Sequence, residues 1–441
     1  MKLHGTMAVN AKGNLEIGGC DTVALTEEFG TPLIVLDETL IRETCRRYYE
    51  AFVKPYPNNQ VVYASKAFSS PAICRIIAEE KLGLDVVSGG ELYTALISGF
   101  PTGDIYFHGN NKSSKELEMA LTNHVGHIVV DNADELKMLN NLAASLGKKP
   151  SILLRVTPGV EANTHEYIQT GQIDSKFGFT LPNGQAMAAV KSLSDYPHLV
   201  FKGIHCHIGS QVFDMGFYAH TARLMFDFLI QIRKETGIIC PILNLGGGFG
   251  IYYTAEDSPA DIKDYGKTVT ETISEWAKKH DYPVPKIVVE PGRSIIGNAG
   301  TTLYSIGSIK TIPGIRKYIA VDGGMADNIR PSLYQAKYEG AIANKMNHPK
   351  DELVSVTGKC CESGDMLIWD INLPKAEAGD ILAVSCTGAY GYSMASNYNG
   401  LGRPAVVLVQ SGRADLIIER ETYEEMLRKH RIPVRLQNEK A

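Results

Sequence analysis

Eight short apolar runs, separated by segments of helical periodicity, are the feature that most constrains the fold of this chain. Apolar residues occupy successive positions in each run, which is typical of parallel strands buried on both faces. A doubly wound sheet would show the same pattern, but the count of eight and a span from Gln60 to about Gly300, close to the roughly 250 residues of a (β/α)8 barrel, favour the barrel. The predicted strands are Gln60 to Ala64, Leu84 to Val87, Asp104 to Phe107, His127 to Val130, Ile152 to Val156, Phe201 to His205, Pro241 to Leu245 and Lys286 to Val289. The predicted helices between them include Ser70 to Lys81, Ser113 to Thr122 and Ala133 to Leu146.

After about Gly300 the sequence changes to short, spaced strands with glycine turns and few helical segments. A further strand-like run, Pro32 to Leu36, precedes the barrel and could pair with this later part. We therefore predict an α/β chain with a TIM-like (β/α)8 barrel over residues 37–300 and a mainly β domain built from residues 1–36 and 301–441. The predicted strands of the second domain are Leu303 to Ile309, Tyr318 to Val321, Glu352 to Val356, Asp380 to Val384 and Ala405 to Val409.

Charge and cysteine usage indicate an enzyme of small molecules rather than a protein that binds large anionic partners. Lysine and arginine number 44 against 49 acidic residues, so the chain offers no basic footprint for nucleic acid or an anionic membrane. No run of eighteen apolar residues occurs, and no apolar stretch of a secretory signal follows Met1. The eight cysteines are scattered without a C-x-x-C pair. We expect a cytoplasmic protein without a nucleic-acid or membrane partner.

Residues capable of chemistry follow the C-terminal ends of the predicted barrel strands, where the active sites of such barrels lie. They are Lys66, Asp85, Ser88, His108, Asn110, Asp131, Arg155, His207, Gly246 to Gly248, and Glu290 to Arg293. Lys66 follows the first strand in the string YASKAF, so its amine would point into the barrel mouth. Partial removal from water favours the neutral amine that bonds an aldehyde cofactor. Taken alone, Lys66 could equally be a solvated lysine at a strand end.

Glu290 ends the last predicted strand in IVVEPGR, where a buried carboxylate needs a partner of opposite character. A protonated pyridine nitrogen is one such partner, and a carboxylate beside it keeps the ring an electron sink, which indicates pyridoxal chemistry. A structural ion pair with Arg293 is the alternative interpretation.

The string NLGGGFG, Asn244 to Gly250, follows the seventh predicted strand and would let backbone N–H groups approach a phosphate closely. It lacks the spacing of a dinucleotide-binding fingerprint because Ile251 stands where the third glycine belongs. The string GIHCHIGSQ places His205, His207 and Ser210 around another strand end. We expect no metal there, because no carboxylate cluster accompanies the histidines and an imidazole can instead lie on a cofactor face.

The second domain supplies further candidates. The string KCCESGD sets Cys361 beside Glu362, and a thiol is a plausible proton donor near neutral pH, although a buried apolar cysteine is the commoner case. Tyr390 lies in the glycine-rich string GAYGYSMASNYN. The string DGGMADNIRPSLY offers Arg330 and Tyr334, which suit a carboxylate at the far end of a substrate.

Separated motifs between about Thr31 and Arg403 together resemble those of the fold-type III pyridoxal-phosphate decarboxylases, and within them the diaminopimelate decarboxylase family. The motifs are YASKAF, GLDVVSGGEL, FHGNNKS, THEYIQTG followed by SKFGF, HCHIGSQ, NLGGGFG, EPGR, DGGMADNIRP, CESGD and GAYGYSMASNYN. The resemblance implies the two-domain architecture that alanine racemase also has, and pyridoxal 5'-phosphate as the cofactor. It also implies a homodimer whose second domain completes the active site across the interface.

The resemblance assigns a role to each candidate. Lys66 would bond the cofactor aldehyde, Glu290 would partner the pyridine nitrogen, and Cys361 would donate a proton from across the dimer interface. The implied cofactor contacts are Lys66, Asp85, His207, Ser210, Gly246, Gly247, Gly248, Glu290, Gly292, Arg293 and Tyr390. The implied substrate contacts are Arg293, Arg330, Tyr334, Glu362 and Tyr390.

The implied reaction converts meso-2,6-diaminopimelate to L-lysine and carbon dioxide. A decarboxylase of another basic amino acid or of carboxynorspermidine, and a non-catalytic cofactor-binding homologue, stay open as alternatives. An alanine racemase would use a tyrosine where this chain has Cys361. The long insertion between Arg155 and Phe201 is our candidate for a loop that closes over the site.

Overall fold

The computed structural model describes residues 1–159 and 174–437, and the chain divides into two compact units. The first, here called the β unit, comprises Met1–Asp37, Gly300–Thr387 and Met394–Ala441. The second, the barrel unit, comprises Glu38–Ala299 and Gly388–Ser393. The motif THEYIQTG lies outside the described residues, as do residues 160–173 of the predicted closing loop as a whole.

Eight parallel strands close into a barrel in the second unit. We number them 1 to 8 in chain order: Gln60–Ala64, Gly83–Val86, Ile105–Phe107, His127–Val130, Ser151–Thr157, Val200–His205, Ile242–Asn244 and Lys286–Val289. Each strand pairs with the next, and Val288 of strand 8 pairs with Gln60 of strand 1, so the sheet has no free edge. A two-residue strand, Phe179–Thr180, adds to strand 5. The predicted barrel is confirmed: three strands have the predicted limits, and the others differ by one residue at one or both ends.

Helices follow the strands and begin at side chains that cap them. Ser70, Ser88, Ser113 and Asn132 each accept a hydrogen bond from a backbone N–H of the helix that they precede, as N-cap residues do. The helices of the barrel unit are Glu38–Tyr48, Pro71–Glu79, Gly89–Ser98, Ser114–Thr122, Ala133–Ser145, Gln185–Ser192, Met215–Thr236, Ile262–Lys279 and Arg293–Ile296. A π-helical turn, Tyr49–Val53, continues the first of them. None of the helices in the described part of the chain is long and apolar enough to cross a membrane.

Six strands contribute to one cluster of buried side chains. Its members are Val62, Tyr106, Val129, Leu153, Ile242 and Val288. They are at most 6% exposed, so the barrel is a packed core rather than a pore. Any site must therefore lie at an end of the barrel.

The β unit contains a mixed sheet in which the N-terminal strand pairs as the sequence indicated. That strand, Leu33–Asp37, lies antiparallel to Gly300–Ile312 and parallel to Ala405–Gln410. The other strands of the sheet are Arg316–Val321, Gly340–Ile342, Glu352–Thr357, Met366–Leu373, Ile381–Ser385 and Arg413–Ile418. A small separate sheet is formed by Ala8–Val9, Leu15–Ile17 and Cys20–Asp21. The helices of this unit are Thr22–Phe29, Arg330–Tyr334 and Tyr423–Leu427.

The structure differs from the prediction after residue 300 in two respects. Three strands were missed. Gly340–Ile342 is buried but only three residues long, whereas Met366–Leu373 and Arg413–Ile418 are each partly exposed and so lack a continuous apolar run. The second difference concerns Gly388–Ser393, which the sequence placed in the β domain and which belongs to the barrel unit. The Tyr390 N–H there donates to the Ala67 carbonyl oxygen at 2.8 Å.

Candidate active site

Lys66 lies at the C-terminal end of strand 1, in the single 3-10 turn Ser65–Ala67, and is half-buried. The hydroxyl of the preceding Ser65 is 2.5 Å from the Asp85 carbonyl oxygen and 3.0 Å from Glu91 Oε2. The Val87 N–H also donates to Glu91 Oε2, at 2.7 Å. The turn that carries Lys66 is therefore tied to the end of strand 2, which holds the amine at the barrel mouth.

Glu290 follows strand 8 and is buried among three hydrogen-bond donors from other strand ends. His108 Nε2 lies 2.8 Å and Asn244 Nδ2 2.6 Å from Glu290 Oε1, while His205 Nε2 lies 3.1 Å from Oε2. Asn244 also accepts a hydrogen bond from the Gly246 N–H through Oδ1, at 2.9 Å. An ionised carboxylate has about four acceptor positions, so these three donors leave one for a further partner.

These contacts decide which carboxyl carries the charge. Burial alone would raise the pKa of Glu290, but His108 and His205 outweigh it and hold that pKa well below its usual range. Burial lowers the pKa of His205 to about 3, so this imidazole is neutral at pH 7. For Asp85, burial raises the pKa to about 7 despite the nearby His108. Glu290 is thus ionised at pH 7, whereas Asp85 can be either protonated or ionised near that pH.

His207 is also held neutral. Burial, with the nearby charge of Lys66, lowers the pKa of His207 well below its ordinary value. Its Nδ1 lies 3.3 Å from the backbone nitrogen of Gly247, which can only donate. The ring proton of the neutral tautomer therefore belongs on Nε2.

His108, His205 and Glu290 place one ligand atom each within 4.8 Å of one another, a spacing that could hold a metal ion. Nevertheless, both imidazole Nε2 atoms are at hydrogen-bond distance from the carboxylate, which requires a proton on each. A protonated Nε2 has no lone pair for a metal. The geometry therefore favours a hydrogen-bonded carboxylate here.

The glycine-rich turn after strand 7 leaves no room for side chains. Gly246 and Gly248 have φ angles of 66° and 106°, a region that disfavours other residues. A Cβ atom on Gly247 would lie 2.2 Å from the Glu290 carbonyl oxygen. This turn packs backbone against backbone, and its Gly246 and Gly247 N–H groups donate to Asn244 Oδ1 and His207 Nδ1. An anion would therefore meet the N–H groups that follow these two in the turn.

We expect Gly247→Ala to weaken binding of pyridoxal phosphate by about 10- to 100-fold, since overpacking costs about 1–3 kcal/mol and each 1.4 kcal/mol is tenfold. Equilibrium titration of the apoprotein followed by absorbance would measure the affinity. Gly103→Ala is the matched control because a Cβ atom there meets nothing within 4 Å. Equal affinities for the two variants would show that the turn does not contact the cofactor.

Arg293 begins the short helix after strand 8 and is buried. Its Nη2 donates to Ser210 Oγ at 2.9 Å and its Nη1 to the Tyr253 hydroxyl at 2.6 Å, while its guanidinium lies 4.7 Å from the ring centre of Tyr390. Among the described residues no ion pair joins Arg293 to Glu290. The alternative interpretation of Glu290 as the partner of Arg293 in a structural ion pair is therefore wrong. Arg293, Ser210 and Tyr390 instead form a cationic group within the barrel unit, and Gly292 approaches strand 1 so closely that a Cβ atom would lie 2.9 Å from Ala64 Cβ.

The residues of the barrel unit fit a phosphorylated pyridine aldehyde. Arg293 and the glycine N–H groups suit a phosphate, Glu290 suits a ring nitrogen, and the Lys66 amine suits an aldehyde. Asp85 adds a buried carboxyl oxygen, Oδ1, that has no hydrogen-bond partner among the described residues. Such an orphaned atom is expected where a ligand completes the site.

Comparison with known proteins agrees with this chemistry. Residues 40–297 match the family described as "Pyridoxal-dependent decarboxylase, pyridoxal binding domain". The diaminopimelate decarboxylase of Bacillus subtilis (strain 168) is 54% identical over 97% of this chain and 98% of its own length. The chain belongs to the diaminopimelate decarboxylase family. The family member of Synechocystis sp. is 47% identical over 98% of this chain and 93% of that protein.

Solved structures of diaminopimelate decarboxylases have the same fold. The enzyme from M. jannaschii in co-complex with L-lysine has a TM-score of 0.92 at 37% identity, over 98% of this chain and 99% of that one. The enzyme from Helicobacter pylori complexed with L-lysine has a TM-score of 0.83 at 31% identity, over 92% of this chain and 98% of that one. These similarities confirm the predicted fold class, and a cofactor of the pyridoxal type follows from the family.

The β unit of this diaminopimelate decarboxylase family member carries the remaining candidates on adjoining loops. Asp365 joins two of these loops, because its carboxylate accepts the N–H groups of Met325 at 2.7 Å and Cys360 at 2.8 Å. Cys361 and Glu362 are exposed, and the Cys361 N–H donates to Asn399 Oδ1 at 2.8 Å. The motifs DGGMADNIRP, CESGD and GAYGYSMASNYN therefore meet within this unit.

Arg330 begins the short helix of the first of these motifs and is buried, whereas Tyr334 at its end is half-buried. The Arg330 guanidinium donates to the Tyr338 hydroxyl and lies 5.5 Å from the ring centre of Tyr338. In the same helix, Ser332 Oγ lies 2.6 Å from the Gly364 carbonyl oxygen. This contact brings Arg330 and the CESGD loop into one cluster.

Sequence reasoning noted His108 as a strand-end residue and Asn244 as part of the glycine motif, without a role for either. Both donate to Glu290. Tyr253, whose hydroxyl accepts a hydrogen bond from Arg293, was missed altogether. The position of His108 and Asn244 at strand ends was a usable signal, but Tyr253 lies in an irregular segment and carried none.

Proposed function

We propose that this chain decarboxylates meso-2,6-diaminopimelate to L-lysine and carbon dioxide, with pyridoxal 5'-phosphate held at the C-terminal mouth of the barrel. The observation that carries the proposal is the buried Glu290 carboxylate, which accepts hydrogen bonds from three side chains and has one acceptor position left. Two findings support the proposal. Relatives that are 54% identical are named diaminopimelate decarboxylase, and two similar solved structures are complexes with L-lysine, the expected product.

Each cofactor-binding residue has a task in this proposal. Lys66 would bond the aldehyde carbon, and His207 would contact the ring. The phosphate would be held by Gly246 to Gly248, Ser210, Arg293 and Tyr390. Asp85 and Gly292 line the same end of the barrel. When bound, pyridoxal phosphate supplies an electron sink that accepts the electron pair left by the departing carboxylate.

Glu290 keeps the ring nitrogen protonated, because a proton shared between two bases stays on the base with the higher pKa. The low pKa of the Glu290 carboxylate, which His108 and His205 lower against the effect of burial, leaves the proton on the ring nitrogen. The Lys66 amine would hold the cofactor through its aldehyde between turnovers, and as a free amine it would be a base close to the reacting groups.

Substrate choice depends on groups for the far end of diaminopimelate, which carries both a carboxylate and an ammonium. Arg330, with Tyr334, Arg293 and Tyr390, suits the carboxylate, and Glu362 suits the ammonium. Lysine, ornithine and arginine lack the distal carboxylate, so binding any of them would forgo the charge-assisted contact that the buried Arg330 offers to that group.

Cys361 donates the proton that replaces the lost carboxylate on the α-carbon. It is exposed on a loop of one chain, whereas this chemistry needs a site from which water is excluded. We therefore propose a homodimer in which the β unit of one subunit completes the site of the other. All eight cysteines are free thiols, which supports the proposal of a reducing cytoplasm.

Carbon dioxide release from meso-diaminopimelate, ornithine, arginine, lysine and carboxynorspermidine tests the substrate. We expect diaminopimelate to be preferred in kcat/KM by about 10⁴-fold or more, since a site built for a polar group rejects analogues that lack it by such factors. A preference for any other of these compounds would overturn the substrate. No carbon dioxide from any of them would favour a non-catalytic homologue.

A further inference from the structure

The Glu290 carboxylate accepts hydrogen bonds from three side chains, each at the end of a different strand. Asn244 and His205 stand at the ends of strands 7 and 6, but His108 follows strand 3 and reaches Glu290 from across the barrel mouth. The backbone N–H of His108 donates to the Val86 carbonyl oxygen at 2.8 Å, and this bond holds the His108 backbone beside strand 2. The three donors thus approach from different sides and leave the carboxylate little freedom to rotate.

We propose that His108, His205 and Asn244 are positioning residues that keep Glu290 ionised and aim its remaining acceptor position at the ring nitrogen of the bound cofactor. This inference rests on the function proposed above. It assigns these residues no contact with the cofactor or the substrate, because their effect passes through Glu290.

The two imidazoles also hold each other in place. Their ring centres are 4.6 Å apart at an angle of 66°, an edge-on contact. Both Nε2 atoms face Glu290, so turning either ring would break its hydrogen bond to the carboxylate. Two imidazoles that hold each other in place therefore stabilise the anion in one orientation.

His108 lies near two carboxyl groups, those of Glu290 and Asp85, but hydrogen-bonds only one of them. Its Nε2 lies 2.8 Å from Glu290 Oε1 but 3.8 Å from Asp85 Oδ1, which is beyond hydrogen-bond distance. Other charged and titratable groups also interact with Glu290. They include His205, Asp85, Arg155, Tyr106, Cys206 and His207. Loss of His108 would remove the bond that makes Glu290 the preferred anion.

The consequence concerns one proton shared by Glu290 and the ring nitrogen. Each donor to the carboxylate makes Glu290 a weaker base, so the proton stays on the ring. Removing a donor makes Glu290 the stronger base, the proton moves to the carboxylate, and the ring becomes neutral. A purely structural role for the three residues would lower stability and leave the protonation of the ring unchanged.

The test follows the ring nitrogen directly. Holoenzyme is loaded with pyridoxal phosphate that carries ¹⁵N in the ring, the bond to the lysine is reduced with borohydride, and a digest locates the attached residue. The ¹⁵N chemical shift, recorded across a pH range, then reports whether the ring nitrogen is protonated. This readout needs no turnover.

We expect unmodified protein to show a protonated ring at pH 7 and His108→Phe to lose that signal. Asn244→Asp is the sharper variant, because it preserves the acceptor for the Gly246 N–H while placing a second carboxylate where Nδ2 lay 2.6 Å from Glu290 Oε1. His108→Gln restores an amide donor and should recover the protonated ring. His127→Phe, which removes an imidazole 4.6 Å from the Tyr106 ring at the other end of the barrel, is the matched control and should resemble the unmodified protein.

The outcomes separate the two proposals. A ring that stays protonated in both His108→Phe and Asn244→Asp, as in His127→Phe, would overturn the positioning role. Failure of His108→Gln to differ from His108→Phe would also count against it, since the donor would then be irrelevant. Cofactor attached elsewhere than Lys66 in the unmodified protein would instead contradict the proposed function.

Discussion

Replacing Lys66 with alanine is expected to abolish covalent attachment of pyridoxal phosphate and to lower carbon dioxide release by about 10³-fold or more. The amine stands alone at the end of strand 1, in a turn that Ser65 ties to strand 2, so no other residue of that turn can bond the aldehyde. Noncovalent binding should persist in part, because Arg293, Ser210 and the glycine turn do not depend on Lys66.

Absorbance of the bound cofactor and mass spectrometry after borohydride reduction would measure the attachment, and trapped radioactive carbon dioxide the turnover. Lys54→Ala is the control: Lys54 is an exposed lysine of the same unit, 2.6 Å from Glu50, and exposed ion pairs contribute about 0–1 kcal/mol. Near-normal turnover of Lys66→Ala would refute the assignment of this lysine and, with it, the proposed site.

Cys361→Ala should lower kcat by about 10²- to 10³-fold and leave the cofactor bound at Lys66. The thiol lies on a loop that Asp365 and Asn399 hold in place through backbone N–H groups, so the loop conformation should survive removal of the side chain. Steady-state kinetics and the absorbance of the bound cofactor would be measured on the same sample.

The adjacent Cys360 supplies a matched control. Burial raises the pKa of its thiol to about 11, so Cys360→Ala should keep its turnover. Mixing the Lys66→Ala and Cys361→Ala proteins tests the proposed dimer, because a mixed dimer with shared sites contains one site with both residues intact. Lack of any recovered activity would speak against a shared site, and loss of cofactor from Cys361→Ala would contradict the role of the thiol as proton donor.

The barrel could be read from the sequence because its signal is local. Runs such as Ile287–Val289 are apolar on successive residues and are followed by turn residues and a helix. The exposed strand Arg413–Ile418 was missed for the opposite reason, since an edge strand with one exposed face lacks such a run. Placement of Gly388–Ser393 in the barrel unit depends on the hydrogen bond of Tyr390 to Ala67, which no local pattern contains.

The candidate site was predictable in its chemistry and not in its arrangement. Lys66, Glu290 and the glycine turn were identified from residue type and position after a strand. The interpretation of Glu290 as a partner of Arg293 was wrong because adjacency in EPGR did not predict that the guanidinium turns towards Ser210 and Tyr253. The role of His108 was missed because its partner is 182 residues away.

The sequence by itself determined that this chain forms a parallel barrel with reactive residues at one rim, since strand burial and strand ends are properties of short segments. Only the tertiary structure decided which strand ends contact one another. Closure of the barrel pairs strand 8 with strand 1 and lets a residue after strand 3 meet one after strand 8, and such contacts are set by the geometry of the closed sheet rather than by any neighbour in the chain.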